Sequence, residues 1–207
     1  MSTAVLYNGL IAMETKKKLI IGCGILENEV RFLTKKNKWD LMGIYLDSTH
    51  HCDFKKLAGC LEKELDKYQE QDKFVLYGAC HPLMDQILDK AGTYRIQGQN
   101  CIEMLLGEDI FLEELLKGAF FLLEDWAIRW DYLLSKTYPR CRPEIMREIF
   151  KTDRKYILAL QTPSSGDFTV QAEKAAAQME VQLKWMDVSL TYFESILQTA
   201  VEKKDDR

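Results

Sequence analysis

The chain has 207 residues, of which 47% are hydrophobic and 29% charged. So much apolar side chain can bury a sizeable core, which excludes a disordered chain and a small disulfide-stapled scaffold. Lys and Arg number 28 against 32 Asp and Glu, for a formal net charge of −4. That balance offers no basic footprint, so neither nucleic acid nor an anionic membrane is an expected partner.

Residues 1–17 read as an appendage. Residues 4–13 are mildly apolar, and Lys16, Lys17 and Lys18 follow them. A secretory signal has the opposite order, charge first and apolar run second, so a cytoplasmic location is expected. No later stretch approaches the roughly 18 apolar residues of a spanning helix. Six Cys in a reducing compartment are expected as thiols or metal ligands.

From residue 18 onward the pattern alternates. Residues 18–22 form a short apolar run ending in Gly22-Cys23-Gly24, a strand followed by a turn. Residues 25–36 carry helical periodicity. Residues 41–46 predict a second strand, 54–69 an amphipathic helix, and 73–77 a third strand stopped by Gly78. Residues 82–90 predict a helix with proline at its start, closed by Gly92. Residues 94–96 predict a fourth, short strand, and 102–106 a helix ended by Gly107. Helices are expected over 110–117 and 121–135, then a connector bracketed by Pro139 and Pro143. Residues 156–160 predict a strand, 167–179 an alanine-rich helix, 183–186 a last strand and 190–201 a last helix. Residues 203–207 are a solvated tail.

Strand and helix in alternation imply βαβ units. The expected fold is α/β, a mostly parallel, Rossmann-like sheet with helices on both faces and a helix-rich second half. One domain over residues 18–202 is expected, with a subdivision near 137–143 as the alternative. No internal repeat is visible.

The soft-ligand residues fall on this map in a regular way. Cys23 follows the first strand, His50 and His51 the second, Cys80 and His81 the third, and Cys101 the fourth. A βαβ unit is about 30 residues long, so strand ends recur at this kind of spacing. Open α/β sheets hold ligands outside the carboxyl ends of their strands. Cys23, His51, Cys80 and Cys101 are therefore expected to converge on one metal or reactive-thiol site. Three thiolates and an imidazole suit tetrahedral zinc first, and an iron–sulfur cluster second. Cys23 and Cys80 are placed just before helix starts, where a thiol pKa is lowered. Glu27 and Glu29, on the first turn after Cys23, are read as carboxylates that orient an imidazole or handle protons. Cys52, Cys60 and Cys141 fall off the pattern, although Cys52 is an alternative to His51. No Walker A, G-x-S-x-G, H-E-x-x-H or C-x-x-C motif occurs. The Trp126/Trp130 pair marks a helical face, expected in core or interface. The turn from Thr162 to Asp167 is read as an ordinary helix entry capped by Asp167, or as an anion site at that helix start.

Several of these segments together resemble a known family. They are Ile21-Gly22-Cys23-Gly24-Ile25-Leu26-Glu27-Asn28-Glu29, Leu46-Asp47 with His51 and Leu57, Tyr77-Gly78-Ala79-Cys80, and Asn100-Cys101-Ile102 with Leu105-Leu106-Gly107. In that order they resemble an uncharacterised domain family of anaerobic bacteria and methanogens, often encoded beside corrinoid-dependent methyltransferases. The chain departs from it at Phe54, where the family has proline, and at His81, where it has glycine. His81 is thereby an added ligand or proton carrier. The resemblance implies methyl-group metabolism, with a corrinoid protein or methyltransferase as partner. Joined to the thiol pattern, it leads to the expectation of a metal-dependent methyltransferase, or an accessory that reactivates an oxidised corrinoid. The alternative expectation is a non-catalytic scaffold that docks such a partner through the helix of Trp126 and Trp130. The D-x-H-x-x-G pattern of a corrinoid carrier is absent.

Overall fold

The computed structural model describes residues 17–203. The expectations for residues 1–16 and for the last four residues of the tail lie outside the described residues.

The first half is built on β1 (Lys18–Cys23), α1 (Glu27–Asn37), β2 (Leu41–Leu46), α2 (Phe54–Lys67) and β3 (Lys73–Leu76). The strands form a parallel sheet in the order β2-β1-β3. Leu19, Ile20 and Ile21 of β1 are all fully buried, because a parallel strand is covered on both faces. Alternation decides which face each covers. Ile20, Phe74 and Leu76 share a core with Val30 and Leu33 of α1. Leu19, Ile21, Val75 and Tyr77 turn toward Leu57, Leu61 and Leu65 of α2. The chain continues through α3 (Met84–Lys90), α4 (Cys101–Leu106) and α5 (Glu108–Leu116).

The second half contains β4 (Ala119–Leu122), α6 (Glu124–Ile128), α7 (Trp130–Thr137), α8 (Pro143–Asp153), β5 (Tyr156–Gln161), α9 (Thr169–Met179), β6 (Gln182–Asp187) and α10 (Thr191–Glu202). Its strands form a second parallel sheet, β4-β5-β6. The outer face, with Leu122, Ile157 and Ala159, is covered by Trp130, Phe150 and the Ala172/Ala175/Ala176 stripe of α9. The inner face carries Phe121, Leu158 and Leu160 into the same core as Ile20 and Phe74. Helix α10 returns to the first half. Phe193 and Leu197 enter that shared core, and the Tyr94 hydroxyl donates to the Ala200 carbonyl at 3.0 Å.

The fold is thus mixed α/β with parallel strands, helices around them and a helix-rich second half. Some expectations need correction. The strands form two three-stranded sheets rather than one, the first ending with β3 and the second beginning with β4. The expected fourth strand is a single bridge, Val75 to Arg95. The helix expected over 121–135 begins as β4, since a short continuous apolar run reads equally as buried strand or buried helix. The connector between Pro139 and Pro143 leads straight into α8, for which the sequence pattern predicts no element. Pro143 sits in its first turn, where the missing N–H costs nothing.

Since one core joins the two sheets, Phe193→Ala should cost about 3–5 kcal/mol in urea unfolding. The transition should remain single when followed by both far-UV circular dichroism and tryptophan fluorescence. Two separate transitions would mean that the halves fold independently.

Candidate functional site

The four residues singled out at the strand ends line one cavity of about 270 Å3. Cys23 is the last residue of β1. His51 lies in the 3-10 turn Ser48–Cys52 after β2, a turn held by Asp47, whose Oδ1 accepts the Thr49 N–H at 2.9 Å. Cys80 lies in the loop after β3. Cys101 opens α4, where the Asn100 side chain caps the Ile102 and Glu103 N–H groups at 3.0 Å each. Two distant loops are brought together at Gly78. A Cβ there would stand 2.1 Å from the Gln99 carbonyl oxygen. Only glycine allows that approach, and the Ala79 N–H then donates to the same oxygen at 2.8 Å. This contact brings the Cys80 loop to the start of α4. Ile25, Leu26, Leu76, Met104, Tyr77 and Trp126 complete much of the wall.

Burial governs the electrostatics. It pushes the Cys23 thiol up to about 12, with the Cys80 sulfur adding to the rise. It pushes Cys101 well above its ordinary value, reinforced by Cys23 and Cys80. It raises Cys80 as well, partly offset by the Gly78 backbone and Arg95. The three sulfurs therefore sense one another, and as free thiols they stay protonated at neutral pH. The expected lowering at helix starts does not occur. Helix α3 begins at Met84, beyond Cys80, and desolvation outweighs the backbone hydrogen bonds at Cys23 and Cys101. As they stand, no three His, Cys, Asp or Glu side chains among the described residues are placed to hold one ion.

His51 is oriented by the backbone. Its Nδ1–H donates to the Ser48 carbonyl at 2.5 Å, which leaves the lone pair of the neutral ring on Nε2. That atom lies 3.4 Å from the Cys52 sulfur, and the ring tilts over Trp126 at 5.2 Å between centroids.

The two carboxylates read as site residues line a neighbouring cavity. Glu27 and Glu29 border a polar space of about 440 Å3, with Asp47, Ser48, Glu124, Asp125 and Arg129. Ile25 lines both cavities. Glu27 pairs with Arg31 at 2.6 Å. Glu29 is buried, and Thr162 and Ser164 donate to its Oε1 at 2.8 and 3.0 Å. Burial nevertheless leaves its pKa raised. Arg129 joins Asp47 and Asp125 at 2.7 and 3.0 Å. Burial acts to raise Asp47, but the Thr49 hydrogen bonds and Arg129 outweigh it and hold the carboxyl down to about 2.

His81 does not line the thiol cavity. Its Nδ1 accepts the Leu83 N–H at 3.0 Å, and its ring meets Phe54 edge-on. Cys60 lies within α2, and Cys141 packs on the outer core of the second sheet. The N-cap of α9 is Phe168 and not the expected Asp167, which accepts the Thr169 N–H at 3.0 Å from one residue earlier, while Thr162 and Ser164 turn to Glu29. Tyr77 and Trp126 are wall residues that sequence reasoning missed. The signal for Trp126 is its place just after β4, visible only once 119–122 is read as a strand.

Fold and site together define a class: a parallel α/β protein of two sheets, with a thiol-lined cavity outside the strand ends. Residues 45–197 match the family described as Protein of unknown function (DUF1638), and the chain belongs to that family. His51, Cys80 and Cys101 lie inside the matched region, and Cys23 precedes it. No curated protein and no solved structure shows significant similarity to the chain.

Two outcomes follow from this geometry. Gly78→Ala should cost about 1–3 kcal/mol in urea unfolding, because the Gln99 backbone must move to admit the methyl group. Alkali should also weaken the fold. The unfolded Cys23 thiol ionises near the ordinary value of 9.0, while the folded one holds its proton to about 12. Its contribution is complete below pH 9.0 and is lost as pH rises toward 12. Urea midpoints across that range should fall less steeply in Cys23→Ala than in the parent chain.

Proposed function

We propose that Cys23, His51, Cys80 and Cys101 hold a transition metal, zinc before an iron–sulfur cluster, and that this centre serves corrinoid-dependent methyl transfer, as methyltransferase or as corrinoid-reactivating accessory. The observation that supports the reading is convergence. Four residues from four separate segments line one cavity, at the strand ends where α/β folds bind ligands. Without a cation, burial keeps the three thiols protonated at neutral pH. A cation would reverse the balance, since its charge stabilises the thiolates that burial alone disfavours. With Nδ1 of His51 engaged by Ser48, Nε2 would be the ligand atom, in place of the Cys52 thiol that it meets at 3.4 Å.

The methyl-transfer part rests on the family resemblance and on general chemistry. A thiol substrate that replaced one of these four side chains on zinc would be held as a thiolate at neutral pH, a good nucleophile. Its sulfur would form the new S–CH3 bond as the Co–CH3 bond breaks, with the electron pair left on cobalt. For the scaffold alternative, Trp130 is buried against Phe120 and Trp126 faces the thiol cavity, so a partner would meet the exposed Ile128 and Tyr132 of the same two helices instead.

Anaerobic purification with elemental analysis tests the reading. The expected result is about one zinc per chain and no visible colour, with zinc lost in Cys80→Ala and Cys101→Ala and kept in Cys60→Ala. Reloading the metal-free chain at pH 7 should release about three protons per ion. A reduced, folded chain that takes up neither zinc nor iron ends the proposal.

A further inference from the structure

The thiol cavity holds two polar groups that the metal reading does not use. Tyr77 is 3% exposed, and its hydroxyl has no hydrogen-bond partner among the described residues. Burial first, and then the Cys23 and Cys80 sulfurs beside it, raise its pKa. The Trp126 indole Nε1–H is likewise buried and unpartnered. Both side chains line the same cavity. Buried donors are nearly always satisfied, and leaving one unpaired costs about 1–3 kcal/mol.

The rest of the wall narrows what could satisfy them. No Asp, Glu, Lys or Arg lines the cavity among the described residues. An ionised ligand would therefore be desolvated without a counter-charge. The volume of about 270 Å3 is far more than one ion fills. It comes close to the lower end of small-molecule sites, at roughly 300 Å3. Ile25, Leu26, Leu76 and Met104 suit an apolar body.

We infer that Tyr77 and Trp126 are recognition donors for a small, uncharged carbonyl compound, whose oxygen they receive and whose apolar part fills the cavity. The inference rests on the reading of this cavity as the functional site, though it does not need a metal to be present. A ligand of the same shape without the oxygen would leave both donors unpaired, which is the kind of difference that gives strong discrimination.

The test uses the full chain, reduced and chelator-washed, with 15N-labelled tryptophan. Its four Trp give four indole signals, and Trp126→Phe assigns one of them. The probes are cyclopentanone and its near-isostere methylenecyclopentane. Cyclopentanone should shift the Trp126 signal saturably and bind at least about tenfold more tightly than the alkene. Tyr77→Phe, which removes one oxygen, should weaken cyclopentanone about two- to tenfold and leave the alkene unchanged. Equal binding of the two probes, an unmoved Trp126 signal, or equal losses in Tyr77→Phe would each overturn the inference. Zinc uptake measured on the same preparation separates the two proposals. Discrimination without zinc binding refutes the metal reading alone, and zinc binding without discrimination refutes this one alone.

Discussion

The structure depends on one shared apolar core. Ile20, Phe74 and Leu76 from the first sheet meet Phe121, Leu158 and Leu160 from the second, with side chains of α1, α4 and α10 among them. Each sheet is covered on its other face by its own helices, so neither can satisfy its inner face alone. Burial of these side chains, at about 1.5–3 kcal/mol each, is what holds the two halves together. It also brings the loops that follow β1 to β5 to one region, and both cavities lie there.

The two cavities differ because their walls solve the burial problem differently. A thiol is weakly polar, so Cys23, Cys80 and Cys101 can be desolvated as neutral groups. Carboxylates cannot be buried so simply. Asp47 and Asp125 share Arg129, Glu27 takes Arg31, and Glu29 relies on the hydroxyls of Thr162 and Ser164. Among the described residues, no carboxylate, lysine or arginine lines one cavity, whereas five carboxylates and one arginine line the other. Ile25 borders both of them, just beyond Cys23.

Much of the site's framework was legible in the sequence, for a physical reason. Parallel strands must all point the same way, so residues just after successive strands share an edge whatever the details of packing. That reasoning puts Cys23, His51, Cys80 and Cys101 at one edge. All four line one cavity, even though the fourth strand shrinks to the Val75–Arg95 bridge. It does not reach Glu27 and Glu29, because helix position says nothing about which of two adjacent cavities a side chain enters. Nor does it reach His81, whose ring turns to Phe54. The thiol pKa values escape it too, because desolvation depends on how tightly the surroundings close and not on proximity to a helix start.

The sequence by itself determined the alternation of strands and helices, the parallel sense of the strands and the set of strand ends that carry sulfur and imidazole. These follow from local periodicity and from the chirality of βαβ connections. Only the tertiary structure decided that there are two sheets and not one, that residues 119–122 are a strand, and that Tyr77 and Trp126 close the thiol cavity. A short, fully apolar run has no period of its own, and its conformation is settled by the strand it pairs with, here β5.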